Sequence, residues 1–130
     1  AVVGKYDPTY DPANAAILDS IADQLRGQPT TMGPMKVERI YMPPRTKEGH
    51  WRSYCNALLC NGALLVPSYS DVDPAIEADV HATFKRLMPG LEVVPINSDT
   101  LVRNRGVIHC IGITIPGYVN ILPLLGEAVQ

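Results

Sequence analysis

Cys110 is a residue that could carry covalent chemistry, and its thiol lies in the apolar segment VIHCIGITIP directly after a histidine. A cysteine attacks an electrophile as the thiolate, which a nearby base or positive charge stabilises, and the substrate must be able to reach it. The more common state of a free cysteine is a small, inert, buried side chain, and the residues alone favour that state for Cys110. Cys110 is therefore a candidate nucleophile whose base has to be found.

The three histidines are the candidates for that base. His109 precedes Cys110 in a segment with the pattern of a strand, and neighbouring side chains of a strand point to opposite faces, so His109 is poorly placed to activate the thiol. His81 falls in the middle of a helical pattern, where we expect it to be solvated or partly packed. His50 lies in a polar loop, where we expect a mobile surface side chain. The base is thus His50, His81 or a residue outside this chain.

The other two cysteines form no recognisable metal or redox motif. Cys55 and Cys60 have four residues between them, whereas zinc knuckles and thioredoxin-like pairs have two. In one extended strand their side chains would point to opposite faces about 16 Å apart, so a thiol-redox pair is the weakest of the functional alternatives. Three cysteines exclude a fully paired disulfide framework, and the sequence predicts no metal site.

Length and composition describe one globular domain. The chain has 130 residues, of which 46% are hydrophobic and 18% charged, with a formal net charge of −2. A mildly acidic chain lacks the concentrated positive face that nucleic acid requires, and no apolar run approaches the roughly 20 residues that span a bilayer. Nucleic acid and membrane are therefore not expected partners. The first residue is Ala1 rather than Met, so we expect either upstream processing or a longer parent chain.

Two helices are predicted by the same signal. Asp11-Pro12 and Asp73-Pro74 each combine a side chain that caps first-turn amides with a proline that fits the first helical position. We expect the first helix to end at Gly27 and the second at Pro89-Gly90. The apolar stripes of the two helices are Ile17, Ile21 and Leu25 with Leu18 beside them, and Ile76, Val80, Phe84 and Leu87.

The strands are predicted around these helices. Asn61-Gly62 stands between two apolar runs and predicts a hairpin with a type I′ turn, because both central residues of that turn take positive φ. Residues 45–52 and 97–106 predict polar loops, and the tail 116–130 is ambiguous, with LPLLGEAV as a candidate short helix. The pattern is α/β with hairpins, which fits a simple doubly wound parallel sheet poorly. The predicted strands are Val37–Met42, 54–60, 63–67, Leu91–Ile96 and Val107–Ile115, the last buried on both faces.

Three blocks in order resemble the C-terminal portion of the bacterial peptidylarginine deiminase and agmatine deiminase family. They are SYCNALLCNGALLVPSYSD, LMPGLEVVPI and RGVIHCIGITIP, which span residues 53–116. The opening YDPTYDPANAAILDSIADQL with MKVERIYMP is similar to the family's preceding segment. The resemblance implies a pentein fold, a β/α propeller around a central active site. Residues 1–130 would then form about two ββαβ-type modules with a mixed sheet, the C-terminal portion of a deiminase-like domain.

The resemblance also implies a reaction and two site residues. The family hydrolyses a guanidino group to a ureido group and ammonia through a covalent cysteine intermediate, without a metal or organic cofactor. Cys110 stands at the place of the nucleophile in the family's HC block. Asn56 stands at the place of an asparagine that lines the substrate site in bacterial peptidylarginine deiminases. The family's catalytic histidine and guanidinium-holding carboxylates come earlier, and no H-x-D motif for that histidine occurs here.

Departures from the family pattern leave the substrate open. Agmatine deiminases carry a glycine-rich run before HC and a glutamine-rich stretch after it, whereas the flanks here are RNRGVI and IGITIP. Agmatine, peptidyl-arginine and other guanidino compounds all remain candidate substrates. Arg103 and Arg105 either meet an anionic part of the substrate or are solvated, and we expect the solvated role.

Two functions of different classes follow. The first is guanidino hydrolysis by a complete enzyme, with this chain alone inactive because it lacks the histidine and the carboxylates. The second is a non-catalytic pentein module that acts as a scaffold or partner-binding piece. In both cases we expect self-association or association with the missing N-terminal part. A cytoplasmic location would suit agmatine deimination in putrescine biosynthesis, and secretion is the alternative for peptidylarginine deiminases.

Overall fold

Two β-α-β units make up most of the part of the chain that the structure describes. The structure is a computed structural model, and it describes residues 1–120. In each unit a helix crosses between two parallel strands. Hairpins add antiparallel pairs to this parallel frame. The mixed strand directions agree with the predicted α/β architecture.

The first unit joins two parallel strands through a helix and a small hairpin. Helix α1 (Pro12–Leu25) follows β1 (Val2–Lys5), and the short strands β2 (Pro29–Thr30) and β3 (Gly33–Pro34) form an antiparallel pair before β4 (Glu38–Tyr41). β1 and β4 then pair in parallel. The sequence predicts α1 and a strand at β4. It does not predict β1, β2 or β3, because two to four residues carry too little periodicity to be recognised.

The second unit is a ββαβ module. β5 (Leu58–Cys60) and β6 (Ala63–Ser68) form an antiparallel hairpin, and α2 (Pro74–Leu87) connects β6 to the parallel strand β7 (Glu92–Asn97). Asn61-Gly62 forms the turn, with φ of 46° and 84°. Asparagine and glycine are the residues that adopt this left-handed region most readily. The hairpin predicted from these two residues is therefore present.

Both long helices begin where the Asp-Pro pairs predict. The Asp11 side chain accepts a hydrogen bond from the backbone N–H of Asn14 at 3.1 Å, and the Asp73 side chain accepts one from Ala75 at 2.8 Å. Each helix has 14 residues. Within the described range, no helix has both the length and the apolar character needed to cross a membrane.

The apolar stripes of the two helices face different surroundings. Phe84 of α2 is buried as the pattern predicts. In α1 the buried residues are the small ones, Ala15 and Ala22, whereas Ile17 and Ile21 are 55% and 42% exposed. Alanines bring a helix close to its sheet, so the larger side chains of α1 are left on the outer face. Of the stripe of α1, Ile17 and Ile21 are consequently exposed, whereas Leu18 and Leu25 are half-buried.

One hydrophobic core connects the two units. Helix α2 packs against β7 of its own unit and against β4 of the first. Burying each large apolar side chain of such a core contributes about 1.5–3 kcal/mol to folding. The buried residues of this cluster are Ile40, Tyr54, Leu64, Val66, Tyr69, Val80, Phe84, Val93 and Val102.

The segment that carries the candidate nucleophile differs most from its prediction. The sequence predicts a strand buried on both faces over Val107–Ile115, and this prediction is wrong. Ile108–Ile111 forms a short helix, α3, and residues 112–115 are exposed and lie outside any helix or strand. A short continuous apolar run does not distinguish a buried strand from a helical turn. His109 and Cys110 therefore lie in a helical turn and not on opposite faces of a strand.

The predicted strand over 54–60 is present only in its second half. β5 begins at Leu58, because the preceding residues form a tight turn that the Asn56 N–H closes onto the Ser53 carbonyl at 3.2 Å. This turn, residues 53–56, carries one of the two site residues that the family resemblance implies. The candidate helix LPLLGEAV lies outside the described residues.

Candidate active site

The structure brings together the two residues that the family resemblance singles out. Cys110 is an exposed residue in α3, and Asn56 ends the turn 53–56. The Asn56 side-chain Nδ2 donates a hydrogen bond to the Cys110 Sγ over 3.0 Å. The two residues are 54 positions apart in the chain, so this contact depends on the fold.

The orientation of the Asn56 amide is fixed by its second contact. Its Oδ1 accepts a hydrogen bond from the backbone N–H of His109 at 2.9 Å, and its backbone carbonyl accepts from the same N–H at 3.3 Å. A backbone N–H can only donate, so the amide oxygen must face it and the amide nitrogen must face the sulfur. His109 lies in the first turn of α3, where backbone N–H groups lack helical partners. Asn56 therefore anchors α3 and contacts its thiol at once.

The environment of Cys110 favours the thiolate. The Asn56 side chain, and then the backbone N–H of Val107, donate to the sulfur and lower the pKa of the Cys110 thiol below its usual value. Donors that face a charged form stabilise that form. The Cys55 thiol has the opposite tendency, because desolvation raises its pKa. Among these two cysteines, Cys110 has the surroundings of a nucleophile.

Gly106 leaves the space that the Cys110 side chain occupies. A Cβ at residue 106 would lie 2.8 Å from the Cys110 Cβ and 3.3 Å from its Sγ. The first of these distances is shorter than real Cβ contacts, so any larger residue would push α3 or the thiol away. Arg105, the residue before it, takes the left-handed conformation with φ of 61°, which directs the chain into this close approach. The sequence marks this position only by the RG pair ahead of the HC block.

Replacing Gly106 with alanine is therefore expected to displace the thiol from Asn56. We expect the alkylation rate of Cys110 to fall by roughly tenfold, because a displacement of about 1 Å is enough to disrupt an aligned site. The rate is measured with iodoacetamide by mass spectrometry of the modified peptides. Gly90→Ala is the matched control, since a Cβ at residue 90 meets no atom within 4 Å. Equal rates in the two variants would contradict a positioning role for Gly106.

None of the three histidines, all of which lie in the described range, hydrogen-bonds to the Cys110 thiol. The backbone of His109 binds Asn56, and its side chain lines an apolar cavity of about 340 Å³ beside Cys55. His81 lies on α2, with Nε2 at 3.9 Å from a Glu77 oxygen. The base that the thiol needs is thus not identified among these histidines.

The predicted polar loop 45–52 is an anchored element. The Arg52 side chain is 6% exposed, donates twice to the Pro44 carbonyl at 2.9 and 2.7 Å, and pairs with Asp71. His50 belongs to a tight turn in which its carbonyl accepts from the Thr46 N–H at 3.0 Å. The backbone of His50 is therefore held in this turn, and the mobility expected of its side chain stays a prediction.

The two arginines ahead of the nucleophile lie beside this loop. Arg103 and Arg105 are exposed, as expected. Arg105 lines a cavity of about 370 Å³ together with His50 and Trp51, and Arg103 lines a second one of about 420 Å³ with Arg52. Within residues 1–120, no group of three or more His, Cys, Asp or Glu side chains is arranged to hold a metal ion.

Comparison with solved structures identifies the fold. A Porphyromonas gingivalis structure described as a "putative arginine deiminase" superimposes with a TM-score of 0.75 and 27% identity, covering 89% of this chain and 34% of that one. The C. jejuni agmatine deiminase superimposes with a TM-score of 0.65 and 16% identity, covering 84% of this chain and 31% of that one. The predicted α/β fold of the pentein type is confirmed.

Comparison of sequences identifies the family. The agmatine deiminase of Pseudomonas putida is 41% identical over 59 residues, which cover 45% of this chain and 15% of that protein. The matched part spans at most about a quarter of the length of the curated relatives. The family profile described as Porphyromonas-type peptidyl-arginine deiminase matches residues 1–116. The chain therefore belongs to the Porphyromonas-type peptidyl-arginine deiminase family.

Proposed function

We propose that this chain supplies the cysteine nucleophile, Cys110, and a substrate-site asparagine, Asn56, to an enzyme that hydrolyses a guanidino group. The observation that carries the proposal is the hydrogen bond from the Asn56 amide to the Cys110 Sγ. It stabilises the thiolate, which is the reactive form, and it occurs in a member of a deiminase family. The products would be a ureido group and ammonia.

The proposed reaction proceeds in two halves. The Cys110 thiolate attacks the guanidinium carbon and forms a C–S bond, and one nitrogen accepts a proton and leaves as ammonia. Water then adds to the same carbon, the C–S bond breaks, and the ureido product and the thiolate are released. Protonation of the leaving nitrogen and activation of water need a general acid and base, which we assign to a residue outside this chain. The role of Asn56 is to hold the sulfur as a thiolate before attack and after release.

The chain by itself is proposed to be inactive. None of its histidines, all of which the structure describes, hydrogen-bonds to the thiol, and the chain spans about a third of the solved structures that it matches. The remaining part of such a fold would supply the histidine and the carboxylates that hold the guanidinium. We propose that the chain operates as the C-terminal portion of a deiminase domain, joined to or associated with that part.

Turnover by the protein expressed from its whole reading frame tests this function. Agmatine and arginyl peptides are supplied separately, and ammonia and ureido product are measured. Product from either substrate supports the proposal, and the preferred substrate decides between agmatine deimination, with its link to putrescine biosynthesis in the cytoplasm, and a peptidyl-arginine activity. The absence of product from both, and from a panel of other guanidino compounds, would contradict it.

A non-catalytic pentein module is the second candidate function. The observation in its favour is that no histidine of residues 1–120 hydrogen-bonds to the thiol. A module of this kind would keep its partner-binding role when Cys110 is removed. This alternative would be established by two results together: the complete protein shows no turnover, and it binds its partner equally well with and without Cys110.

The thiols themselves provide a test on the isolated chain. We expect iodoacetamide to modify Cys110 faster than Cys55 at pH 7, because hydrogen bonding lowers the pKa of the Cys110 thiol while desolvation raises that of Cys55. A lowered thiol pKa means that the thiolate persists as the pH falls, so the advantage of Cys110 should grow from pH 9 to pH 6. Peptide mapping by mass spectrometry gives each rate. A slower Cys110 across this range would contradict its assignment as the nucleophile.

A further inference from the structure

We propose that Glu77 is a positioning residue for the Cys110 nucleophile, acting through Tyr54 and the turn 53–56 that carries Asn56. The inference rests on the proposed function, because it assigns a role in preparing the same thiol. It also extends the site into α2, whose residues do not touch the sulfur.

Glu77 is the hydrogen-bond acceptor at the centre of this arrangement. Its Oε1 accepts from the Tyr54 hydroxyl at 2.5 Å and from the backbone N–H of Tyr69 at 3.0 Å. The Tyr54 residue is fully buried, and the Glu77 side chain is 14% exposed. Burial first, and then the bond to Glu77, raise the pKa of the Tyr54 hydroxyl, so its proton stays in the bond. Buried bonds of this kind specify one arrangement, since breaking them leaves polar groups unpaired.

The two tyrosines fasten the turn that carries Asn56. Tyr54 is itself a member of the turn. The Tyr69 hydroxyl accepts from the backbone N–H of Ser53 at 3.3 Å, and the Ser53 carbonyl accepts from the Asn56 N–H at 3.2 Å. Through Tyr54 and Tyr69, one carboxyl oxygen of Glu77 thus fixes the start of the turn at two points.

The well-packed helix α2 positions the short helix α3 that carries the thiol. Glu77 belongs to a 14-residue helix whose Val80 and Phe84 are buried in the core. The helix α3 has four residues, and its own N-cap residue, Val107, provides no side-chain cap. Asn56 hydrogen-bonds to the first turn of α3 and to the Cys110 sulfur, so the position of the turn 53–56 sets where the Asn56 amide lies. Glu77 fixes the position of this turn, because it accepts hydrogen bonds from Tyr54, which belongs to the turn, and from Tyr69, whose hydroxyl binds Ser53.

His81 is the alternative partner for Glu77, and the geometry does not favour it. The His81 Nε2 lies 3.9 Å from the Glu77 Oε2, beyond hydrogen-bond length. The oxygen that makes hydrogen bonds is Oε1, and both donors to it belong to the tyrosines. The Glu77 side chain is therefore oriented by the tyrosine network.

Tyr54→Phe tests the inference by removing one hydroxyl. We expect the Cys110 alkylation rate at pH 7 to fall by roughly fivefold, and its pH profile to move to higher pH, because a looser turn weakens the Asn56 bond to the sulfur. The matched control is Tyr6→Phe. Tyr6 is 3% exposed and its hydroxyl makes one hydrogen bond in the first unit, as the acceptor from the Arg45 N–H at 3.1 Å, whereas the Tyr54 hydroxyl donates to Glu77. Tyr6→Phe should leave the Cys110 rate within about twofold of the original chain.

Two further variants separate positioning from general destabilisation. Glu77→Gln keeps an oxygen that can accept from both donors and should retain the Cys110 rate, whereas Glu77→Ala should slow it as Tyr54→Phe does. Cys60, on the opposite end of the hairpin strand β5, is the internal standard, and its rate should be the same in every folded variant. If Tyr54→Phe does not fold, the inference is tested by comparing the Cys110 alkylation rates of Glu77→Gln and Glu77→Ala.

The outcomes distinguish this inference from the proposed function. If Cys110 of the original chain reacts more slowly than Cys55 across the pH range, the proposed nucleophile is wrong. If Cys110 is selectively reactive and neither Tyr54→Phe nor Glu77→Ala changes its rate or pH profile, the nucleophile stands and the role of Glu77 is wrong. Slowing at Cys110 alone, with the Tyr6→Phe control unchanged, supports the inference.

Discussion

Replacing Cys110 with alanine in the complete protein is expected to reduce formation of the ureido product by about 10⁴-fold or more. In the proposed reaction Cys110 forms the covalent intermediate, so its removal would leave only the positioning of substrate and water, and comparable deletions in other covalent enzymes have losses of this size. Ammonia release and ureido product are both measured, because hydrolysis must yield them in equal amounts. Turnover that survives in Cys110→Ala would place the chemistry on another residue.

Cys60→Ala is the matched control for this change. Cys60 is an exposed cysteine at the end of β5, and its removal also deletes one thiol. We expect its kcat and KM to stay within about twofold of the original protein, as for surface substitutions away from a site. Comparable losses in the two variants would show that the effect of Cys110→Ala comes from the folding or oxidation of the protein.

Local signals in the sequence predict the regular parts of the fold well. The Asp-Pro pairs mark the starts of α1 and α2, and Asn61-Gly62 marks the hairpin, because each signal acts within a few residues. The wrong prediction is the strand over Val107–Ile115. Its apolar run is compatible with either a helical turn or a strand. The helical turn is stabilised by a residue distant in sequence, Asn56, which accepts a hydrogen bond from the first turn of α3.

Only the candidate site residues that lie in a family motif can be predicted from the sequence. Cys110 and Asn56 are identified by resemblance, since an asparagine at the start of a hairpin has no chemical signature of its own. Gly106 and Glu77 are not identified from the sequence. Their roles depend on a close approach of 2.8 Å to the Cys110 Cβ and on bonds from Tyr54 and Tyr69, and contacts between distant segments leave no local pattern.

Asn56→Asp is expected to have the second largest effect on activity, a loss of roughly 10²-fold in kcat. The substitution replaces the Nδ2 donor that faces the Cys110 Sγ by a carboxylate oxygen and retains an oxygen for the His109 N–H. Losing one donor from a preorganised site typically costs 10²–10³-fold. The new negative charge also opposes a thiolate, so the pKa of the Cys110 thiol should rise and its alkylation at pH 7 should slow.

This substitution separates the two contacts of Asn56, which is why it is more informative than truncation. Asn56→Ala removes both the anchor of α3 and the donor to the sulfur, so it should lower stability and activity together. Asn56→Asp should leave the unfolding midpoint close to that of the original protein while the thiol loses its reactivity. If Asn56→Asp retains full turnover and an unaltered alkylation profile, the amide hydrogen bond has no part in activating Cys110, and Asn56 serves only to hold α3 in place.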